Sequence, residues 1–134
     1  MKHLEQALLF LQKAGEDEAL LDEVINSKRV SDGTFGFHCQ QAAEKLLKAV
    51  LSKLCVGFRH THDLRELMDM LADAGHPVPE NLSDLDALTP YATLLRYEGI
   101  PADAKLDRQA ARRMVRAIRV WAEEKTGVRT ADGA

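Results

Sequence analysis

Apolar residues recur at steps of three and four along most of the chain, which is the period of an amphipathic helix. The longest such stretch runs from Phe35 to Cys55, or about five or six turns of helix. Its apolar stripe is too wide for a helix that touches a single neighbour, so we predict that this helix is packed on several others. The stripe contains Phe35, Cys39, Ala42, Ala43, Leu46, Leu47, Val50 and Leu54.

The same period predicts further helices over residues 4–26, 64–74, 82–97 and 104–125, with polar, Gly-containing or Pro-containing breaks between them. Gly57 suits the C-cap of the long helix, and Thr61 suits the N-cap of the helix that follows. Pro90 either kinks the 82–97 stretch or starts a fresh helix capped by Thr89.

Nothing in the pattern alternates as a strand does, so the predicted fold is all-α. Short connections favour antiparallel neighbours, and we expect an up-and-down helical bundle of four or five helices. Residues 1–126 are predicted to form one domain, and residues 127–134 a flexible tail.

Composition fits one soluble domain, because 46% of the 134 residues are hydrophobic and 29% are charged. No apolar run approaches the roughly 18 residues that a membrane span requires, and the first residues lack a signal-peptide layout. We therefore predict a cytoplasmic protein that does not enter a membrane. Cys39 and Cys55 would lie about 24 Å apart on the long helix, so we expect them to be buried and reduced.

Charge is unevenly distributed, although the net charge of -3 does not by itself indicate nucleic-acid binding. Residues 61–103 contain nine acidic and two basic side chains, whereas residues 105–119 contain six basic side chains and one acidic. A basic helical face is either an ordinary solvated surface or a surface for nucleic-acid phosphates or an acidic partner. The face in question carries Arg108, Arg112, Arg116 and Arg119.

A second stripe follows the long helix on another face, through His38, Gln41 and Lys45 and then Lys48 and Ser52. The first three side chains offer an imidazole, an amide and a cation, which are suited to holding a phosphate or a ribose. Alternatively, they are polar groups that find partners at a helix-pair or dimer interface.

His60, His62 and Asp63 are suitable metal ligands, but further ligands are missing from any recognisable spacing. The segment Thr61-His62-Asp63 equally suits a helix cap with an ordered loop. The sequence contains no Gly-rich phosphate loop and no nucleophile motif, so we predict neither a metal nor a cofactor.

Three segments together resemble the HEPN domain family. Residues 37–49 read FHCQQAAEKLLKA, residues 61–64 read THDL after Gly57, and residues 95–97 read LRY. The resemblance implies a helical bundle that usually forms a homodimer. Many members of the family are partners of a separate minimal nucleotidyltransferase, often in toxin–antitoxin operons, and others are RNA-cleaving toxins with an Arg-x(4–6)-His motif.

That ribonuclease motif is absent from this chain. No histidine stands at the required distance after Arg29, Arg59 or Arg65, and none follows Arg96. The resemblance therefore implies a non-catalytic module that binds a nucleotide or a nucleotidyltransferase partner. The alternative is an RNA-binding protein or a ribonuclease toxin with a non-standard site, built from His38 or His62 with Arg96. The ligand-binding residues implied by the resemblance are His38, Gln41, Lys45, His62, Asp63, Arg96 and Tyr97.

Overall fold

The computed structural model describes residues 2–93 and 105–129. These two ranges contain four α-helices and one 3₁₀ segment, and no β-strand, which confirms the predicted all-α fold. The helices are α1 (Lys2–Val24), α2 (Asp32–Lys53), α3 (Leu64–Asp73) and α4 (Arg108–Thr126), and the 3₁₀ segment is Glu80–Thr93. No helix among the described residues is both long enough and apolar enough to cross a bilayer.

The helix α2 lies at the centre of the fold, as its wide apolar stripe predicts. It begins three residues earlier than the stripe because Ser31 is its N-cap, accepting a hydrogen bond from the backbone N–H of Thr34 at 3.1 Å. Leu46, Leu47 and Leu51 are fully buried in the core cluster that α2 shares with the other elements. The chain leaves α2 through Cys55, which has a positive φ of 61°.

The loop before α3 differs in detail from the prediction. Asp63, rather than Thr61, is the N-cap, and its carboxylate accepts hydrogen bonds from the backbone N–H groups of Arg65 and Glu66. Thr61 precedes the cap, and its hydroxyl oxygen accepts a hydrogen bond from the backbone N–H of Asp63 at 3.1 Å. Thr89, a second expected cap, instead accepts the backbone N–H of Leu64 at 3.2 Å and so ties the 3₁₀ segment to α3.

The 3₁₀ segment takes the place of the first part of the helix predicted over residues 82–97. It is interrupted at Leu82, whose dihedral angles are non-helical, and it contains Pro90. Its Tyr91 ring packs directly on Gly36 of α2, where a Cβ atom would overlap the ring. The absence of a side chain at Gly36 therefore lets the 3₁₀ segment approach α2 closely.

The two cysteines lie in different environments. Cys39 is fully buried, and burial raises the pKa of its thiol to about 12, so it stays protonated and inert. Cys55 lies beyond the end of α2 and is exposed, so the prediction that both cysteines are buried is wrong for Cys55.

Candidate functional site

The first polar cluster joins α1 to α2 through the carboxylate of Asp17. One oxygen lies 3.0 Å from Nδ1 of His38, and the other accepts a hydrogen bond from Nζ of Lys45 at 2.7 Å. Asp17 is buried, whereas His38 and Lys45 each keep 25% of their side-chain surface exposed. The carboxylate thus fixes an imidazole and an ammonium beside each other at the protein surface.

A separate set of hydrogen bonds runs along α2 through two amide side chains. Gln41 donates from Nε2 to Oε1 of Gln40 at 2.8 Å. Gln40, which is fully buried, donates in turn to Glu44 at 2.9 Å and to the backbone carbonyl of His62 at 3.0 Å. The loop before α3 is therefore attached to α2 by a chain of hydrogen bonds that starts at Gln41.

Glu44 is the centre of the second polar cluster. It accepts hydrogen bonds from Nζ of Lys48 at 2.8 Å and from Gln40, and Nδ1 of His62 lies 2.8 Å from it. Glu44 and Lys48 each expose only 6% of their side chains. Burial raises the pKa of Glu44, but the hydrogen bonds from Lys48, Gln40 and His62 outweigh it, so the pKa lies below its usual value.

Both clusters have the same composition: one buried carboxylate, one lysine and one histidine that uses Nδ1. A carboxylate at Nδ1 orients the ring and leaves Nε2 for another partner. We call the surface formed by His38, Gln41, Lys45 and His62 the polar strip. These are four of the predicted ligand-binding residues, and they fall into two separate hydrogen-bonded groups. Asp17 joins His38 to Lys45, and Gln40 with Glu44 joins Gln41 to His62.

Of the three remaining predicted ligand-binding residues, Asp63 does not join the polar strip. Asp63 uses its carboxylate as the N-cap of α3. Arg96 and Tyr97 lie outside the described residues. Residues 2–93 and 105–129 contain no group of three His, Cys, Asp or Glu side chains that could hold a metal ion. His60 and His62 contact each other edge-on, with ring centroids 5.4 Å apart.

The sequence analysis missed three residues that build this site, namely Asp17, Gln40 and Glu44, and it placed Lys48 on the polar stripe of the long helix without assigning it to the ligand site. The spacing of Gln40, Glu44 and Lys48 by one helical turn was an available signal for mutual contact. Asp17 gave no such signal, because it reaches the site only through the antiparallel packing of α1 on α2. Asp17 is buried, although the acidic run around it has the appearance of a solvated helix face in the sequence.

The basic face of α4 is used inside the protein. Arg112 pairs with Asp22 and Glu18, and Arg119 pairs with Glu18 and donates to the carbonyl of Leu11. Both arginines are buried, and Glu18 is buried with them. These ion pairs connect α4 to α1, which explains why the two arginines share one face.

Arg108 also has internal partners. It pairs with Asp32 at 2.7 Å and donates to the carbonyls of the turn between α1 and α2, including those of Val24 and Ser27. Arg116 alone of the four keeps more than half of its side chain exposed, at 56%. The four arginines therefore do not form the exposed face that their spacing predicted.

A model of the HEPN domain matches residues 2–125 of this chain. The chain belongs to the HEPN domain family. The resemblance noted in the sequence is thereby confirmed at the level of the family. The comparisons give no significant match to a curated protein or to a solved structure. The HEPN match covers both buried carboxylates and the whole polar strip, so these residues are part of the domain itself.

Proposed function

We propose that this HEPN domain is a non-catalytic binding module. It binds a nucleotide, or it serves as the partner subunit of a minimal nucleotidyltransferase in a toxin–antitoxin-like system. The observation that carries this proposal is the pair of His38 and Lys45 on the shared carboxylate of Asp17, both partly exposed. A phosphate oxygen can accept hydrogen bonds from an ammonium and an imidazole held in this way, and little side-chain entropy remains to be lost.

The non-catalytic part of the proposal is supported by the sequence, which lacks the Arg-x(4–6)-His motif of the ribonuclease members. It is also supported by the partners of the polar strip. Lysine and histidine are each neutralised or oriented by a buried carboxylate, which suits recognition of a polar ligand.

Calorimetric titration with ATP and other nucleotides tests the proposal, first with the protein alone and then with the protein encoded beside it. We expect Lys45→Met to weaken binding about tenfold or more, because one charge-assisted hydrogen bond is lost. Lys53→Met is the matched control, since Lys53 is an exposed lysine at the end of the same helix. Absence of heat in both titrations would refute the proposal.

A ribonuclease with a non-standard site is the second candidate, and one observation favours it. The imidazole of His62 is held 2.8 Å from the buried carboxylate of Glu44, an arrangement that also suits a general base. Incubation with RNA should then produce cleavage that His62→Ala abolishes and His60→Ala retains. RNA that stays intact in the presence of the purified protein eliminates this candidate.

We also propose that the chain forms a homodimer. The helix α2 is enclosed by other elements of the same chain, so an interface between two copies would use another surface. Support comes from the exposed leucines of α1, among them Leu8 and Leu9. Light scattering of the wild type and of Leu9→Lys measures the mass directly. A monomeric wild type contradicts the proposal, and a dimer that survives Leu9→Lys places the interface elsewhere.

A further inference from the structure

Ser52 lies one turn beyond Lys48 on α2 and is 2% exposed. Its hydroxyl has no hydrogen-bond partner among the described residues. Buried hydroxyl groups in folded proteins nearly always have a partner, so an orphan of this kind requires an explanation.

Lys48 has spare hydrogen-bonding capacity at the same place. An ammonium group donates up to three hydrogen bonds and accepts none. Within the described part of the chain, Lys48 makes one hydrogen bond, to Oε2 of Glu44, and its Nζ lies 5.7 Å from the ring centroid of Phe58. Two N–H groups of a buried ammonium are therefore left without an acceptor.

The carboxylate of Glu44 has little remaining capacity to accept hydrogen bonds. Oε2 of Glu44 accepts from Lys48, and Oε1 interacts with both Gln40 and His62. Among the described residues, Lys48 and Ser52 together therefore present hydrogen-bond donors that have no matching acceptors. A water molecule would supply two lone pairs but would bring two further donors, whereas a phosphate group supplies several acceptor oxygens.

We propose that Lys48 and Ser52 bind the oxygen atoms of a phosphate group, either free phosphate or the phosphoryl end of a nucleotide. The proposal rests on the proposed function in its nucleotide form and places the phosphate deeper than the polar strip alone suggests. Lys45 lies three residues before Lys48 on α2 and extends the same line of donors toward the surface.

Phe58 lies beside Lys48, in the stretch that follows α2. Its ring is half-buried, pairs with Phe10 at a centroid distance of 6.2 Å and lies next to Lys48. Phe58 belongs to the irregular stretch between α2 and α3, where its side chain can move without breaking a helix. Phe58 is therefore one side chain that would have to move for a phosphate group to reach Lys48.

The test is a titration of the labelled protein with inorganic phosphate at constant ionic strength, followed by the backbone amide shifts of residues 44–56. We expect saturable shifts centred on Lys48 and Ser52, and an affinity at least about tenfold weaker in Ser52→Ala. Ser83→Ala is the control, because Ser83 is exposed on the 3₁₀ segment. ATP added in place of phosphate distinguishes a nucleotide from the free anion.

A second variant distinguishes loss of phosphate binding from misfolding of the protein. Glu44→Met/Lys48→Met removes the cation together with its counter-charge, and it should also lose the phosphate shifts. Unchanged phosphate affinity in both variants would overturn the proposal. Loss of the phosphate-induced amide shifts in Lys53→Met would overturn it as well. So would a high-resolution structure, determined in phosphate, with only water on Ser52.

The failure of this inference can be told apart from failure of the proposed function. If ATP binding depends on Lys45 but not on Ser52, the binding module stands and the buried phosphate position is wrong. If phosphate binds through Ser52 but neither nucleotide nor partner protein binds, the position stands and the proposed function is wrong.

Discussion

Removing the charge of Glu44 is expected to destabilise the protein strongly, because the ammonium of Lys48 would stay buried without its counter-ion. Breaking a buried ion pair from one side costs about 3–5 kcal/mol. A domain of this size is stable by only about 5–15 kcal/mol, so Glu44→Met should lower the melting temperature by roughly 10 °C or more. Lys48→Met should have a comparable cost, because it leaves the carboxylate buried.

The double variant Glu44→Met/Lys48→Met separates the charge effect from simple loss of packing. Two methionines of similar length fill the space without a buried charge, so the double variant should unfold within about 2 kcal/mol of the wild type. Urea denaturation followed by circular dichroism gives all four free energies of unfolding. The cycle should show a coupling of about 3 kcal/mol or more. Additive losses would refute the view that these two groups compensate each other.

The pH dependence supplies an independent check on the same pair. The pKa of Glu44 lies below its ordinary value in the folded wild type. Its stabilising contribution is therefore present above about pH 4.5 and is lost as the pH falls through the folded value. Lys48→Met lacks this contribution, so its deficit in stability relative to the wild type should shrink on acidification. A deficit that is constant from pH 7 to about pH 3 would contradict this account.

Three further substitutions test other parts of the fold. Arg112→Met should cost about 2–4 kcal/mol in urea denaturation because it breaks buried ion pairs, whereas Arg116→Met should change stability by no more than about 0.5 kcal/mol; equal effects would refute the assignment. Gly36→Ala should lower the free energy of unfolding by about 1–3 kcal/mol in the same assay, because the added Cβ overlaps the ring of Tyr91. Gly57→Ala is the control: open space surrounds Gly57, so this substitution should be neutral or slightly stabilising. Hydrogen bonds from the backbone N–H of Leu106 and from Arg108 hold the pKa of Asp32 below its ordinary value, so its stabilising contribution is lost as the pH falls through that lowered pKa. Asp32→Asn should therefore make acid unfolding less steep, and an unchanged acid-unfolding profile would exclude that role.

The helices could be predicted from the sequence because their apolar period is a local property. The long stripe through Phe35 and Leu47 identified α2 and its central position, and the THDL segment located the start of α3 to within two residues. The 3₁₀ segment was less predictable. Pro90 indicated a kink or a fresh start, but the packing of Tyr91 against Gly36 of α2 joins residues that are distant in sequence and gives no local signal.

The charged residues were less predictable, because their partners are distant in sequence. A run of acids such as Glu16 to Glu18 has the local appearance of a solvated face. Only the approach of Arg112 and Arg119 on α4 shows that Glu18 is enclosed. The same reason explains the outcome for the arginines, whose regular spacing predicted a shared face but not whether that face meets solvent or another helix.

The candidate site was partly predictable: more so than the buried ion pairs, and less so than the helices. His38, Gln41 and Lys45 were found from their spacing on one helix, and a short polar segment indicated His62. The buried carboxylate of Asp17 that positions two of them belongs to another helix, and its contribution follows only from the packing of α1 on α2.

The arginine contacts of α4 also have a consequence for the order in which the chain assembles. Arg119 and Glu18 are 101 residues apart, and Arg108 reaches a carbonyl 84 residues away. During synthesis α1 and α2 emerge first and can join along their apolar seam, but Glu18 then lacks its cationic partners. Native closure must therefore wait until α4 has left the ribosome, and a chain that ends before Arg108 should remain a loosely packed helical intermediate.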